Sequence, residues 1–210
     1  MNEELNSIRI LEEMMLALRG LALEREVSVS DIVHEALGEY LFARAPGVNL
    51  FDVIHSIDSA MRGEGQFVTD ADPAGLAIFI KSPIRYVYRP ELKYEVHVAR
   101  EGWAFSAALR THNLDTLQRF AGFTGLWIEL ERKYLPPKQQ VVYRTEAGYF
   151  SRQLSRPETA RRGDGPSVGD AISSYIRVFD ELLKFYFRQG GGQALEQLYL
   201  ARRGEGKLSI

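Results

Sequence analysis

The sequence contains no cysteine among its 210 residues, and this absence excludes several kinds of chemistry at once. A chain without cysteine has no disulfide, no thiolate ligand for zinc and no cysteine nucleophile. The lack of disulfides is typical of proteins in a reducing compartment. We therefore predict a cytoplasmic protein.

Long apolar runs are also missing from the sequence. No stretch approaches the roughly 18 consecutive apolar residues of a membrane-spanning helix, so we expect no membrane partner. The first seven residues, MNEELNS, lack the basic region and apolar run of a secretory signal peptide. Apolar residues make up 45% of the chain and charged residues 26%, which is typical of a globular protein with a sizeable core.

The signatures of common catalytic and cofactor sites are absent as well. The chain has no G-x-x-x-x-G-K-[ST] phosphate loop, no G-x-G-x-x-G dinucleotide fingerprint and no G-x-S-x-G nucleophile elbow. None of the four histidines forms an H-x-x-x-H or H-E-x-x-H pair. We therefore predict that the protein is not an enzyme and has no cofactor and no metal site.

Residues 6–43 carry the clearest pattern in the chain. Ile8 and Ile10 alternate with polar neighbours, which predicts a short strand with one apolar face. Ser7 and Arg9, with Leu5, would then face outward. A helical period follows, in which six apolar residues recur on one face: Leu11, Met14, Met15, Leu18, Leu21 and Ala22.

A second helix is indicated after the sequence Glu26-Val27-Ser28-Val29-Ser30-Asp31. Ser30 is a suitable N-cap residue, and Asp31 follows in the first turn, where negative charge is favoured. Pro46 and Gly47 end the segment. Six residues form the apolar stripe of this helix: Ile32, Val33, Ala36, Leu37, Tyr40 and Leu41.

A strand, a helix, a turn of the type x-V-S-x-S-[DE] and a helix ending in E-A-L-x-E-Y-L resemble the ribbon-helix-helix family of Arc, MetJ and CopG-like regulators. The resemblance covers residues 6–43, and residues 27–41 carry most of it. It implies an obligate dimer whose paired strands enter the DNA major groove. By position, Leu5, Ser7 and Arg9 would meet base edges. Backbone amides near Ser30 and Asp31 would meet a phosphate.

The negative charge of the same segment opposes binding to DNA. Residues 1–45 contain four arginines, no lysine and nine acidic residues, for a net charge of −5. Lysine and arginine contacts to phosphate supply most nonspecific affinity for DNA.

The expected function is a prokaryotic or phage DNA-binding transcription regulator that acts as a homodimer or tetramer. The alternative is a non-enzymatic interaction or scaffold protein that uses the module only to dimerise, and an ordinary helical hairpin also remains open.

The sequence around Pro46 predicts a domain boundary, with a module in residues 1–45 and an α+β domain in residues 47–210. This larger domain would set the oligomeric state or sense an effector. Its patterns predict an antiparallel sheet, helices and two loops. The helices fall at 50–61, 113–134, 168–188 and 194–202, the strands at 77–80, 85–89, 93–99, 103–109, 140–144 and 149–154, and the loops at 69–73 and 155–166.

Two of the predicted strands indicate a polar face that a ligand could use. Arg85 and Arg89 alternate with two tyrosines, and His97 shares a face with Lys93 and Glu95. We interpret Arg85, Arg89 and His97 as a candidate ligand-binding set. The alternative is a sheet with one solvated face and no ligand.

Two long helices raise the question of what covers them. The helix at 113–134 is apolar around most of its circumference, which predicts burial in the core or against a partner subunit. The helix at 168–188 carries apolar residues at alternating spacings of four and three. That spacing suits a coiled-coil seam between two subunits or a packing face within one chain.

Overall fold

A computed structural model of the chain describes residues 12–25, 27–30, 32–33, 36, 49–73, 75–84, 86, 90–99, 102–135, 141–155 and 165–208. The chain divides into two compact units, residues 1–45 and residues 46–210. Within these described ranges, no helix is both long enough and apolar enough to cross a membrane.

The first unit contains helix α1, Glu12–Arg25. Two acids in its first turn and Arg25 in its last turn complement the helix dipole. Helical backbone begins again at Val29, where the Ile32 amide donates to the Ser28 carbonyl at 3.3 Å. The N-cap position therefore belongs to Ser28, and the prediction of Ser30 as the cap is wrong. Both serines suit a cap, so residue type alone does not decide between them.

The second unit is an α+β domain built on one six-stranded antiparallel sheet. Its described elements are α2 Leu50–Arg62, β1 Val68–Asp72, β2 Ala77–Pro83, β3 Glu91–Ala99, β4 Gly102–Arg110, α3 Leu114–Tyr134, β5 Val141–Glu146, β6 Tyr149–Ser155, α4 Gly165–Gln189 and α5 Gln193–Gly204. The strands lie in the order β1-β2-β3-β4-β6-β5. The predicted α+β class and antiparallel sheet are confirmed.

Two details of the sheet differ from the prediction. The sequence TDADP, predicted as a loop, supplies edge strand β1, in which Val68 pairs with Lys81. An edge strand needs only one hydrogen-bonded neighbour, so polar and poorly β-forming residues are tolerated there. Strand β2 extends through Pro83 and pairs directly with β3. The predicted strand at 85–89 lies outside the described residues except for Tyr86, which is in a bend.

The hydrophobic core lies between one face of the sheet and the helices, with α4 at its centre. Phe179 of α4 contacts Phe105 and Phe150 of the sheet, with ring centroids 5.0 and 5.4 Å apart. Residues of the predicted four-three stripe, including Ile172, Tyr175 and Leu182, are almost fully buried. The stripe of α4 is therefore a packing face within the unit.

Helix α3 begins as predicted, because the Asn113 side chain accepts a hydrogen bond from the Thr116 amide at 2.8 Å. Within the single chain this helix is buried on one side only, and burial of its other side against a partner subunit stays a prediction. Phe120, Phe123 and Trp127 are buried, but Leu114 is exposed and polar residues occupy the outer side. The mixture of apolar and polar positions defines one broad buried face instead.

Candidate functional site

The sheet has one covered face and one open face, and strand alternation assigns every residue to one of them. On β3, Leu92, Tyr94 and Val96 are buried under the helices. Their neighbours Glu95 and His97 point to the opposite side, where the strand residues are exposed or half-buried. Among the described helices of the second unit, none packs on this second side, which we call the open face.

A line of polar side chains crosses the open face in register. Glu95 on β3 lies opposite Ser106 on β4. Ser106 in turn lies opposite Ser151 on β6, and Ser151 lies opposite Arg144 on β5. Neighbouring strands are about 4.8 Å apart, so the backbones at the two ends of the line are about 14 Å apart. The line has an acid at one end, a base at the other and two hydroxyls between them.

A depression of about 230 Å³ lies over the middle of this line. Its floor consists of small residues, Ala104, Ser106 and Ser151, and this lack of side-chain bulk creates the space. Glu95 and His97, whose side chains are hydrogen-bonded to each other, form one wall. Four of the remaining lining residues stand on β5 and β6: Val142, Arg144, Tyr149 and Gln153. Phe105 of β4 and Arg152 of β6 also line the depression, although their side chains lie on the covered face.

Within the described residues, three polar groups of the depression, on β4, β5 and β6, are not used by the protein itself. Arg144 is exposed on edge strand β5, and among the described residues it has no carboxylate partner. The hydroxyls of Ser106 and Ser151 likewise have no side-chain hydrogen bond within the described ranges. These groups are therefore able to bind a solute without breaking an internal contact.

The covered face contains charged residues of a different kind. Arg152 of β6 binds Glu131 of α3, with its Nε atom 3.0 and 3.1 Å from the two carboxylate oxygens. The guanidinium also lies over the rings of Trp103 and Tyr175, at 4.9 and 4.7 Å from their centroids. Burial raises the pKa of Glu131, and the neighbouring Arg152 opposes that rise. Both side chains are almost fully buried, so this pair supports the core and is not accessible to a ligand.

A second buried polar cluster surrounds Asp180 of α4. One carboxylate oxygen accepts from the Ser82 hydroxyl at 2.5 Å and from the Tyr94 hydroxyl at 2.8 Å. The other oxygen pairs with Lys184 at 2.7 Å. Burial, followed by the charge of Asp180, raises the pKa of Tyr94 well above its usual value. Tyr94 therefore stays protonated and acts as a structural hydrogen-bond donor between the sheet and α4.

In the first unit, the notable surface is that of α1. Met14 and Leu21 are 57% and 40% exposed and lie about two turns apart on one side of the helix. Leu16 and Leu23 are 64% and 84% exposed and lie about 200° around the axis from that pair. A helix with large apolar side chains on opposite sides needs covering surfaces on both sides.

The predicted site residues are distributed unevenly over the structure. Six of them lie outside the described residues: Leu5, Ser7, Arg9, Asp31, Arg85 and Arg89. Ser30 is exposed in the first turn of the helix that begins at Val29. His97 lies in the wall of the depression, beside Glu95.

Sequence reasoning missed Arg144 and the two serines of the depression. Their alternation with buried residues places them on one face, but the sequence does not indicate which strands are neighbours. Within the described ranges, no group of three or more histidine, aspartate or glutamate side chains is arranged to hold a metal ion. In comparisons with known proteins, no family model, no curated protein and no solved structure matches this chain.

Proposed function

We propose that this protein is a DNA-binding transcription regulator that acts as a homodimer or higher oligomer through a ribbon-helix-helix module in residues 6–43. The second unit, residues 46–210, serves as an oligomerisation or effector domain. The proposal starts from the resemblance of residues 27–41 to the second half of that module. The second unit has its own buried core, whereas large apolar side chains of the first unit remain exposed.

The observation that carries the proposal is the apolar surface of α1. Met14 and Leu21 lie on the predicted core stripe of the module, yet both are exposed in a single chain. Exposed apolar surface of this kind marks a site of protein association. In a ribbon-helix-helix dimer, the second copy of the chain covers such a surface, because the two chains form one shared core.

The start of the second helix supports the DNA contact. Helical backbone begins at Val29, so the amides of its first turn, near Ser30, have no partner within the helix. Unpaired amides and the positive end of the helix dipole attract a phosphate. Ser30 is exposed, as a phosphate contact requires.

Retention of duplex DNA by the full chain tests the proposal. We expect wild type to bind selected genomic fragments at low salt, and the Arg9→Ala variant to bind them about 5- to 150-fold more weakly, because one base contact of this type is lost. Arg19→Ala is the matched control. It removes the same charge from an exposed position on α1, away from the predicted reading strand, and we expect a change within about 3-fold.

Equally poor binding by wild type and Arg9→Ala at low salt contradicts the DNA-binding proposal. In that case the second candidate, a scaffold that uses the module only for association, explains the protein better. The specific observation that favours this candidate is the net charge of −5 in residues 1–45, which opposes approach to DNA. A retained oligomer without DNA binding distinguishes the two.

A further inference from the structure

The depression on the open face combines features that together specify a ligand. It lies over two internal strands, β4 and β6, whose backbone amides and carbonyls are occupied by the sheet ladder. Recognition there must come from side chains. At about 230 Å³ it is smaller than the roughly 300–1,000 Å³ typical of sites for drug-sized ligands and cofactors, so it suits a small molecule.

The acid and the exposed cation that line the depression stand at opposite ends of it. Glu95, hydrogen-bonded to His97, is the acid at the β3 end, and Arg144, which has no carboxylate partner among the described residues, is the cation at the β5 end. The hydroxyls of Ser106 and Ser151 lie on the line between them. A molecule with an amine at one end, a carboxylate at the other and hydrogen-bonding groups between matches this arrangement in sign and in order.

The distance between Glu95 and Arg144 determines how long a molecule must be to contact both. The end residues are about 14 Å apart at the backbone, and the side chains of Glu95 and Arg144 both line the depression between them, which shortens the gap between their charged groups. A peptide of two or three residues spans about 7–10 Å, which fits between the two charged groups. The amine and carboxylate of a single amino acid are too close together to reach both ends.

We propose that the depression binds a short unblocked peptide of two or three residues, with its amine on Glu95 and its terminal carboxylate on Arg144. The hydroxyls of Ser106 and Ser151 bond the peptide groups in between. This site is independent of the proposed DNA contact, so a negative result for one proposal leaves the other unaffected. As an effector site it gives the second unit a ligand to sense.

Calorimetric titration of the full chain with triglycine tests the site. Two charge-assisted contacts in an open depression correspond to a Kd on the order of 1 mM. Arg144→Met and Glu95→Gln should each weaken binding about 10-fold, the size of one such contact. Arg110→Met is the matched control, because it removes an exposed arginine from the same face outside the depression, and its Kd should stay within about 2-fold.

The second arm of the experiment uses the same peptide with both ends blocked, acetylated at the amine and amidated at the carboxylate. We expect no saturable binding of this blocked peptide. Equal binding of the free and blocked forms overturns the proposal, and so does an equal loss in the Arg110→Met control. The absence of saturable triglycine binding up to about 10 mM, well above the expected Kd, overturns it as well.

Discussion

Helices α1 and α4 differ in where their apolar residues find partners. On α4, the four central residues of the four-three stripe, Ile172, Tyr175, Phe179 and Leu182, are almost completely buried against the sheet and the neighbouring helices of the same unit. On α1, four large apolar side chains remain 40% to 84% exposed and lie on opposite sides of the helix. The second unit therefore completes its own core, while α1 carries apolar surface that nothing in the described part of the first unit covers.

Because of this difference, we expect α4 to determine the stability of the second unit and α1 to determine the association of chains. Disrupting the core around α4 should unfold the second unit whatever the protein concentration. Disrupting the exposed surface of α1 should change the number of chains in the assembly and leave the second unit folded. The following predictions test this separation, in order of decreasing effect.

The largest effect is expected from breaking the buried ion pair. Arg152→Met leaves the Glu131 carboxylate buried without its partner, and loss of one member of a buried pair costs about 3–5 kcal/mol of unfolding free energy. Urea unfolding of the full chain measures this loss. Replacing both residues, Arg152→Met with Glu131→Leu, should restore most of it, because no buried charge remains. Equal stability of Arg152→Met and wild type contradicts the inference that this ion pair supports the core.

An intermediate effect is expected at Asp180. Asp180→Ala removes the acceptor of the Tyr94 and Ser82 hydroxyls and leaves both buried without a partner, at a cost of about 2–4 kcal/mol. Asp170→Ala on the same helix is the matched control. Asp170 is exposed, and within the described residues its one hydrogen bond is from Ser56, so its loss should change stability by less than about 0.5 kcal/mol. If thermal unfolding shows similar losses of stability in the two variants, the Asp180 cluster does not stabilise the fold as we infer.

The smallest effect is expected from an exposed ion pair, and it depends on pH. Hydrogen bonds from Lys133 and Tyr134 lower the pKa of Glu196 in the folded chain. Its contribution is therefore present above the unfolded pKa of about 4.3 and is lost as pH falls through the lower folded pKa. Glu196→Gln should melt slightly below wild type at neutral pH, and the difference should shrink as pH falls below about 4.3. A difference that grows in acid contradicts this sign.

The sequence predicts best those elements whose signals are local. Helix α3 follows from the Asn113 cap and its apolar residues, and α4 follows from its repeated spacing, because both patterns lie within one segment. Strand β1 was missed because an edge strand tolerates the acidic sequence of a loop. The helix start was misplaced from Ser28 to Ser30 because two equivalent caps stand two residues apart.

The candidate site depends on information that is not local. Strand alternation predicts His97, but Arg144 and Ser151 lie on strands far along the chain that join the same sheet on the other side of β4. The order β4-β6-β5 reverses the sequence order of the last two strands. Register then decides that Ser151 meets Ser106, and a shift of one residue would place it on the covered face.

Sedimentation equilibrium of the full chain tests the central claim, that α1 joins one copy of the chain to another. We predict that wild type sediments as a dimer or tetramer and that Met14→Glu with Leu21→Glu sediments as a monomer with its second unit folded. The control places glutamate at two exposed apolar positions of the second unit, Leu114 and Leu200, and should sediment like wild type. A wild-type chain that remains monomeric at every concentration contradicts the account.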